Sequence, residues 1–365
     1  MKKFLAVFLA VIMAAACMAG CGNTGGDTGA AADWPEKGIS LVVCYTAGGT
    51  ADTANRQLAS LMSESLGVDI TVTNVTGGSG SIAGLQVAAA KPDGNTWLGD
   101  VAHTVSGWRT LDYADMGWED YYGFYAATAP YVIFVSKDSP YNTYQELYDA
   151  MAKNPNMKWG NAGLGSINQL TGQLMLDFMG LTGNSIPYDG GRDAAIKVIA
   201  GEVVWSWAGV SDIMDLAQSG DIKILGVCNA EPITVEAAGG AYEAPSLLTD
   251  HPELSSLEGL LYWGFQVSRD TPPEAVAKIR QAFEAAVETD EWAEYCASMG
   301  LTPSVGVGQE SDDLCARLEC IYAWGLYDAG MGAEGVSPAD FGIPRIDEYT
   351  FPGTPQAAEA AAWPQ

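Results

Sequence analysis

The sequence predicts an α/β protein made of two lobes. Three observations carry that expectation. Strand-like and helical patterns alternate along the chain, which argues for α/β layers around largely parallel sheets. Glycine turns stand where strands hand over to helices. A middle block, residues 131–259, looks inserted into a domain made from both chain ends.

The first strand is Ile39 to Cys44, followed by the turn Tyr45 to Asp52 and a helix from Thr53 to Leu66. In that helix Ala54, Leu58, Leu61, Met62 and Leu66 share one face, and Gly67 supplies the stop. A strand over Asp69 to Thr73 leads into the glycine loop Thr76 to Ser81, then a short helix from Ile82 to Ala90. Lys91 to Thr96 is a proline-glycine turn, and Trp97-Leu98 opens the next strand. Tyr131 to Val135 is strand-like, Ser139-Pro140 breaks it, and Tyr144 to Lys153 is helical.

The third glycine loop, Asn161 to Ser166, precedes a helix expected to bury Leu170, Leu174, Phe178 and Met179. Ile186 to Gly191 turns into a short helix ending at Gly201, and strands follow at Val203 to Trp207 and Ile222 to Cys228. A strand returns over Leu260 to Val267, and Pro272-Pro273 start a helix with Val276, Ile279 and Phe283 inward. The segments Phe124 to Val135 and Leu260 to Val267 are the expected crossings between lobes. Beyond Met331 the chain turns to Pro, Gly and Ala with little periodicity, so that tail is expected along the surface or partly disordered.

The beginning of the chain reads as a leader. Lys2 and Lys3 precede an apolar run from Phe4 to Ala16, and Met18-Ala19-Gly20-Cys21 offers a small-residue cleavage site. The run is short for a membrane span. Residues 1–20 are thus a signal peptide, and residues 21–33, rich in Gly, Ala and Thr, a flexible tether. The folded parts divide as 34–130 with 260–330 for lobe 1, 131–259 for lobe 2, and 331–365 as a C-terminal extension.

Charge narrows the partners. The chain has 17 basic and 45 acidic residues, a net of −28, and losing Lys2 and Lys3 leaves a net of −30. Nucleic acid and anionic lipid headgroups are poor partners for such a surface. Beyond Cys17 and Cys21 the cysteines are Cys44, Cys228, Cys296, Cys315 and Cys320, an odd set that cannot all pair internally. Cys44 and Cys228 read as small core residues, and a disulfide from Cys296 to Cys315 or Cys320 is the alternative to free thiols. With His103 and His251 the only histidines, no zinc spacing and no metal or cofactor site is expected.

Each glycine turn before a helix aims backbone N–H groups and the positive helix end at one point, which suits an anion. The first turn lacks the lysine of a phosphate-binding loop and the third glycine of a dinucleotide fingerprint. A hydrolase would need a nucleophile with an oriented base, and no Gly-x-Ser-x-Gly elbow is present.

The order of motifs resembles the extracytoplasmic solute receptors of tripartite tricarboxylate transporters, the Bug-type family. The matching elements are Trp34-Pro35, Gly48-Gly49 with Asp52, Asn74 with Gly77 to Gly80, and Pro92 to Thr96. They continue with Gly160 to Ser166, Pro187 to Gly191, and Ser219-Gly220 before a strand. The likeness covers about Trp34 to Trp324. A cysteine directly after Ala-Gly likewise resembles the lipobox of bacterial lipoproteins, with Cys21 as the lipidated N-terminus.

The resemblance implies a type II periplasmic-binding-protein fold, two α/β lobes joined by two crossover strands and closing on a ligand. It implies no enzyme activity and no cofactor. Loops from opposite lobes would grip a ligand carboxylate. Lobe 1 would offer Tyr45, Thr46, Ala47, Gly48, Gly49 and Asp52, with Gly78, Ser79 and Ser81 close by. Lobe 2 would offer Ala162, Gly163, Gly165 and Ser166. The chain departs from the family pattern at Tyr45, Asp189, Arg192, Ala208 and Asn168, so the pocket for the rest of the ligand is expected to differ.

Bland readings stand beside these. Gly48 and Gly49 could serve only a tight turn, Asp52 and Ser166 only helix caps. His103, with Thr104, follows the strand at the expected cleft edge, yet a lone histidine is commonly satisfied locally. Arg192 suits a second carboxylate or a local pair with Asp189 or Asp193. Tyr188 and Trp207 could wall the pocket or belong to the core.

The expected protein is therefore a monomeric receptor on the outer face of the cell membrane, held by lipid on Cys21. It would deliver a small organic carboxylate or amino acid to membrane permease subunits. Surface charge is screened over about 8 Å, but the far field would slow a highly charged anion, which favours monocarboxylates, dicarboxylates or zwitterions over tricarboxylates. A ligand sensor for a signalling system is the alternative, and a surface hydrolase the weaker one.

Overall fold

Two mixed sheets carry the chain. In the computed structural model residues 34–355 are described, and the leader, the tether, Cys21 and residues 356–365 lie outside them. From Pro35 onward the chain forms one unit. Its elements are β1 (Ile39–Val43), α1 (Thr50–Leu66), β2 (Ile70–Asn74), α2 (Ser81–Ala88), β3 (Thr96–Val101), β4 (Tyr121–Thr128) and β5 (Tyr131–Ser136). Then come α3 (Tyr144–Lys153), β6 (Lys158–Asn161), α4 (Ile167–Phe178), β7 (Asn184–Pro187), α5 (Gly191–Ile199), β8 (Trp205–Gly209), α6 (Met214–Gln218) and β9 (Ile222–Cys228). The chain continues with β10 (Ile233–Ala237), β11 (Gly240–Ala244), β12 (Tyr262–Ser268), α7 (Pro273–Val287), α8 (Asp290–Met299), β13 (Thr302–Gly306) and α9 (Gln309–Asp328).

The first sheet has the order β13-β4-β12-β3-β1-β2, the second β7-β6-β8-β5-β9, and β10-β11 is a separate hairpin. The fold is thus α/β with two lobes, of the periplasmic-binding-protein kind. The chain leaves the first sheet after β4, enters the second at β5 through Ala129-Pro130, and returns at β12. Those crossing strands correct the expectation of largely parallel sheets. β1, β2 and β3 are parallel, and so are β6, β7 and β8, but β12 runs antiparallel to β3 and β4, and β5 antiparallel to β8 and β9.

Local chemistry explains the elements. In α1 the buried Ala54, Leu58 and Met62 face inward, and Gly67 ends the helix at φ 70°, donating its N–H to the Ser63 carbonyl. Thr143 and Glu146 form a capping box on α3, and Ser166 caps α4. Phe178 is 43% exposed, correcting its inward assignment, since Met175 and Leu176 hold the buried face of α4 instead.

Aromatic stacks anchor each sheet. Phe265 of β12 stacks on Trp97 at 4.6 Å and on Phe124 at 5.0 Å, and Trp159 stacks on Trp205 at 5.2 Å across β6 and β8. Cys44, Cys228, Cys296, Cys315 and Cys320 are all buried and free, which removes the disulfide alternative.

The tail takes the first of its two expected courses, along the surface. Residues 331–355 lie along α9: Ile343 is buried against Cys320 and Ala323, and Trp324 Nε1 donates to its carbonyl at 3.0 Å. Arg345 pairs with Asp328 at 2.8 Å over the Trp324 ring, and Tyr349 donates to Asp313 at 2.7 Å. One apolar anchor and a few polar ties suffice, so no periodic pattern announces them.

Candidate functional site

Three loops converge where the lobes meet, all at the C-terminal ends of strands. Ligands of open α/β sheets bind in that position. After β1, Gly48 adopts φ 81°, and its N–H is taken by Asp52 Oδ2 at 2.9 Å. Asp52 Oδ1 accepts from Arg56 Nε and Asn74 Nδ2, both at 2.9 Å. Burial pushes the Asp52 carboxyl up, but those hydrogen bonds outweigh it and hold it below the usual range. Asp52 therefore builds the turn and does not face the cleft.

The second loop folds on glycines with φ 113°, 56° and 90° at Gly77, Gly78 and Gly80, with Ser79 also left-handed at 48°. A Cβ on Gly80 would come within 2.6 Å of Thr104 Cγ2, so only glycine lets the loop lie this close. In the third loop Asn161 Oδ1 accepts from the Gly163 N–H at 3.0 Å and Gln169 Oε1 from the Gly165 N–H at 2.6 Å. Ser166 Oγ accepts from the Gln169 N–H at 3.2 Å, and Tyr322 Oη donates to the Gly165 carbonyl.

The lobes touch directly. Ser79 Oγ donates to the Leu164 carbonyl at 2.7 Å, and Thr46 donates to the Asp189 carbonyl from Oγ1 at 2.8 Å and from its N–H at 3.3 Å. Two cavities remain between them. The smaller, about 30 Å³, is lined by Tyr45, Thr46, Gly49, Thr50, Ala51, His103, Leu261 and Trp263, and by Ala162, Asn168, Gly190, Gly191, Arg192 and Asp212. The larger, about 250 Å³, is lined by Cys44, Tyr45, Gly77 to Gly80 and Tyr113, and by Ala162 to Leu164 and Pro187 to Asp189.

The expected residues divide accordingly. Tyr45, Thr46, Gly49, Gly78, Ser79, His103, Ala162, Gly163, Tyr188 and Arg192 border one cavity or both. Ala47, Gly48, Asp52, Ser81, Thr104, Gly165, Ser166 and Trp207 border neither. Trp207 is fully buried, stacks on Tyr131 at 5.3 Å and donates Nε1 to Thr171 Oγ1 at 3.1 Å, which makes it core. Arg192 pairs with Asp215 through both guanidinium nitrogens, one at 2.7 Å, and not with Asp189 or Asp193.

His103 is buried beside the smaller cavity. Burial pushes its imidazole down to about 3 against a small opposing pull from the Leu260 backbone, so the ring is neutral. Burial likewise raises the Tyr45 hydroxyl, whose Oη lies 3.4 Å from Thr104 Oγ1.

Sequence reasoning missed Asp212, Trp263, Tyr113 and Leu261 as lining residues. The position of Asp212 just after β8 was the available signal, since strand C-termini face the cleft. Asn168 and Asp189 stood out only as departures from the family pattern.

The family described as tripartite tricarboxylate transporter family receptor matches residues 54–318. The chain belongs to that family. Its members are solute-binding receptors and not enzymes, so this receptor binds a solute and carries out no reaction on it. A UPF0065 protein from the TAR-I ttuE-ttuC' intergenic region of Agrobacterium vitis is 26% identical over 279 residues, spanning 75% of this chain and 78% of its own. Among solved structures, periplasmic binding protein BugD superposes with TM-score 0.71 at 22% identity, covering 82% of this chain and 99% of BugD. MatC from Rhodopseudomonas palustris, with bound malate, superposes with TM-score 0.69 at 19% identity, covering 80% of this chain and 100% of MatC. Among the described residues no helix is long and apolar enough to cross a membrane.

Proposed function

We propose that this receptor captures a small organic acid between lobe 1 (residues 34–130 and 260–330) and lobe 2 (residues 131–259). It then presents the acid to the membrane subunits of a tripartite transporter while tethered by lipid on Cys21. The observation that carries the reading is the cavity of about 250 Å³ between the Gly77 to Gly80 loop and the Ala162 to Leu164 loop. Turns of this kind present backbone dipoles to a carboxylate at contact distance, where a net charge of −28 spread over the surface counts for little. Malate in MatC, which shares the fold, supports the class of ligand.

The closed arrangement supports a trap. Ligand must enter with the lobes apart, and contacts such as Ser79 to Leu164 re-form around it. The test is a thermal-shift panel of monocarboxylates, dicarboxylates and amino acids. A ligand at a hundred times its Kd stabilises the native form by about 2.7 kcal/mol, which raises the melting temperature by several degrees. A flat response across the panel contradicts the reading.

A further inference from the structure

The positive end of α1 already holds a carboxylate, and it comes from the opposite lobe. Thr50 donates its backbone N–H and its Oγ1 to Asp212 Oδ1, each at 2.8 Å, and Thr50 Oγ1 also lies 2.8 Å from Ser211 Oγ. On its other side Asp212 lies against the start of α5, where a Cβ on Gly191 would collide with Oδ2 and sit 3.0 Å from Cγ. Two helix N-termini from different lobes thus converge on one carboxylate of the protein itself. Burial raises the Asp212 carboxyl, while the Thr50 hydrogen bonds and Arg192 pull it back.

The rest of the smaller cavity is chemically a ligand-facing surface. His103 borders it, 1% exposed, and Asn168 adds an amide. Arg192, the arginine lining it, is held bidentately by Asp215 and donates to the Asp212 carbonyl at 3.4 Å. The cavity therefore combines a carboxylate, a neutral imidazole and an amide with a guanidinium already neutralised. A ligand carboxylate placed there would meet Asp212 as a like charge, with no uncommitted cation among these lining residues to offset it.

We infer that Asp212 occupies the place of a ligand carboxylate at α1 and so determines specificity, excluding dicarboxylates whose second carboxylate reaches this end. This rests on the carboxylate-receptor reading. The acid that binds presents its one carboxylate to the loops of the larger cavity and an uncharged group towards Asp212, His103 and Asn168.

Matched pairs test it: succinate against its monoamide succinamate, and glutarate against glutaramate, titrated calorimetrically into the full receptor and into Asp212→Asn. The wild type should prefer the monoamide by about tenfold, and Asp212→Asn should erase most of that ratio by strengthening the dicarboxylate. Asp212→Ser, with a small neutral hydroxyl, serves as the second variant if the amide disturbs folding. A wild type that binds the diacid as tightly as the monoamide overturns the specificity claim and leaves the receptor reading standing. So does a ratio unchanged in the variants. No binding of any of these acids by any of the proteins overturns both.

Discussion

Ser79 and Leu164 join the lobes through one hydrogen bond, Ser79 Oγ to the Leu164 carbonyl at 2.7 Å, at the lip of the larger cavity. The two residues belong to different glycine loops, each brought to the cleft by a different sheet. Ser79→Ala removes this tie without disturbing either core. A net hydrogen bond is worth roughly 0.5–1.5 kcal/mol, so ligand affinity should fall by about 2- to 10-fold. Calorimetry measures the loss, and a melting temperature close to wild type shows that the fold is not its cause.

Gly49 separates two outcomes at one position. Its φ of −77° suits any residue, and a Cβ there would stand 3.5 Å from Arg192 Cβ and from Asp212 Oδ1, which is ordinary contact. Gly49→Ala should therefore bind ligand nearly as wild type does. Gly49→Leu adds atoms that have no room between closed lobes and should weaken binding by more than roughly tenfold while the melt is retained. Equal affinity in both variants would remove Gly49 from the cleft.

Trp207 belongs to the core, and its response differs in kind. Trp207→Phe preserves a ring against Tyr131 but loses the hydrogen bond to Thr171 and part of the packed volume. Stability should drop by roughly 1–3 kcal/mol in urea melts, with ligand affinity unchanged.

Glu319 predicts a pH dependence. Burial, then the neighbouring Glu119, push its carboxyl up to about 8, although Arg109 stands 3.9 Å away and opposes them. Because the folded state holds a proton that the unfolded state releases above its ordinary value, the stabilisation is complete at acid pH. It is lost as pH rises towards about 8. The slope is at most roughly 1.4 kcal/mol per pH unit between those limits. Glu319→Gln should flatten it, as urea melts at pH 5.5 and 7.5 will show.

Much of this architecture was legible because it is written locally. The strand before Gly48, the αL stop at Gly67, the Thr143 capping box and the Ser166 cap each depend on residues within a few positions. The loops of the larger cavity were legible for the same reason. What escaped depends on pairs distant in sequence. Thr50 and Asp212 are 162 positions apart, and nothing near either residue announces the other. Arg192 chose Asp215 over the nearer Asp189 and Asp193 because the turn after β8 brings Asp215 alongside α5, a tertiary fact. Trp207 and Tyr188 look alike as aromatic residues near strand ends, but the first points into the second sheet's core and the second into the cleft.

The most direct measurement is a crystal structure of the receptor with the acid that gives the largest thermal shift. Carboxylate density is expected between the Gly77 to Gly80 loop and the Ala162 to Leu164 loop, with Asp212 still bonded to Thr50. Density for the ligand outside the interlobe cleft, or a ligand carboxylate in the place of Asp212 at α1, would contradict it.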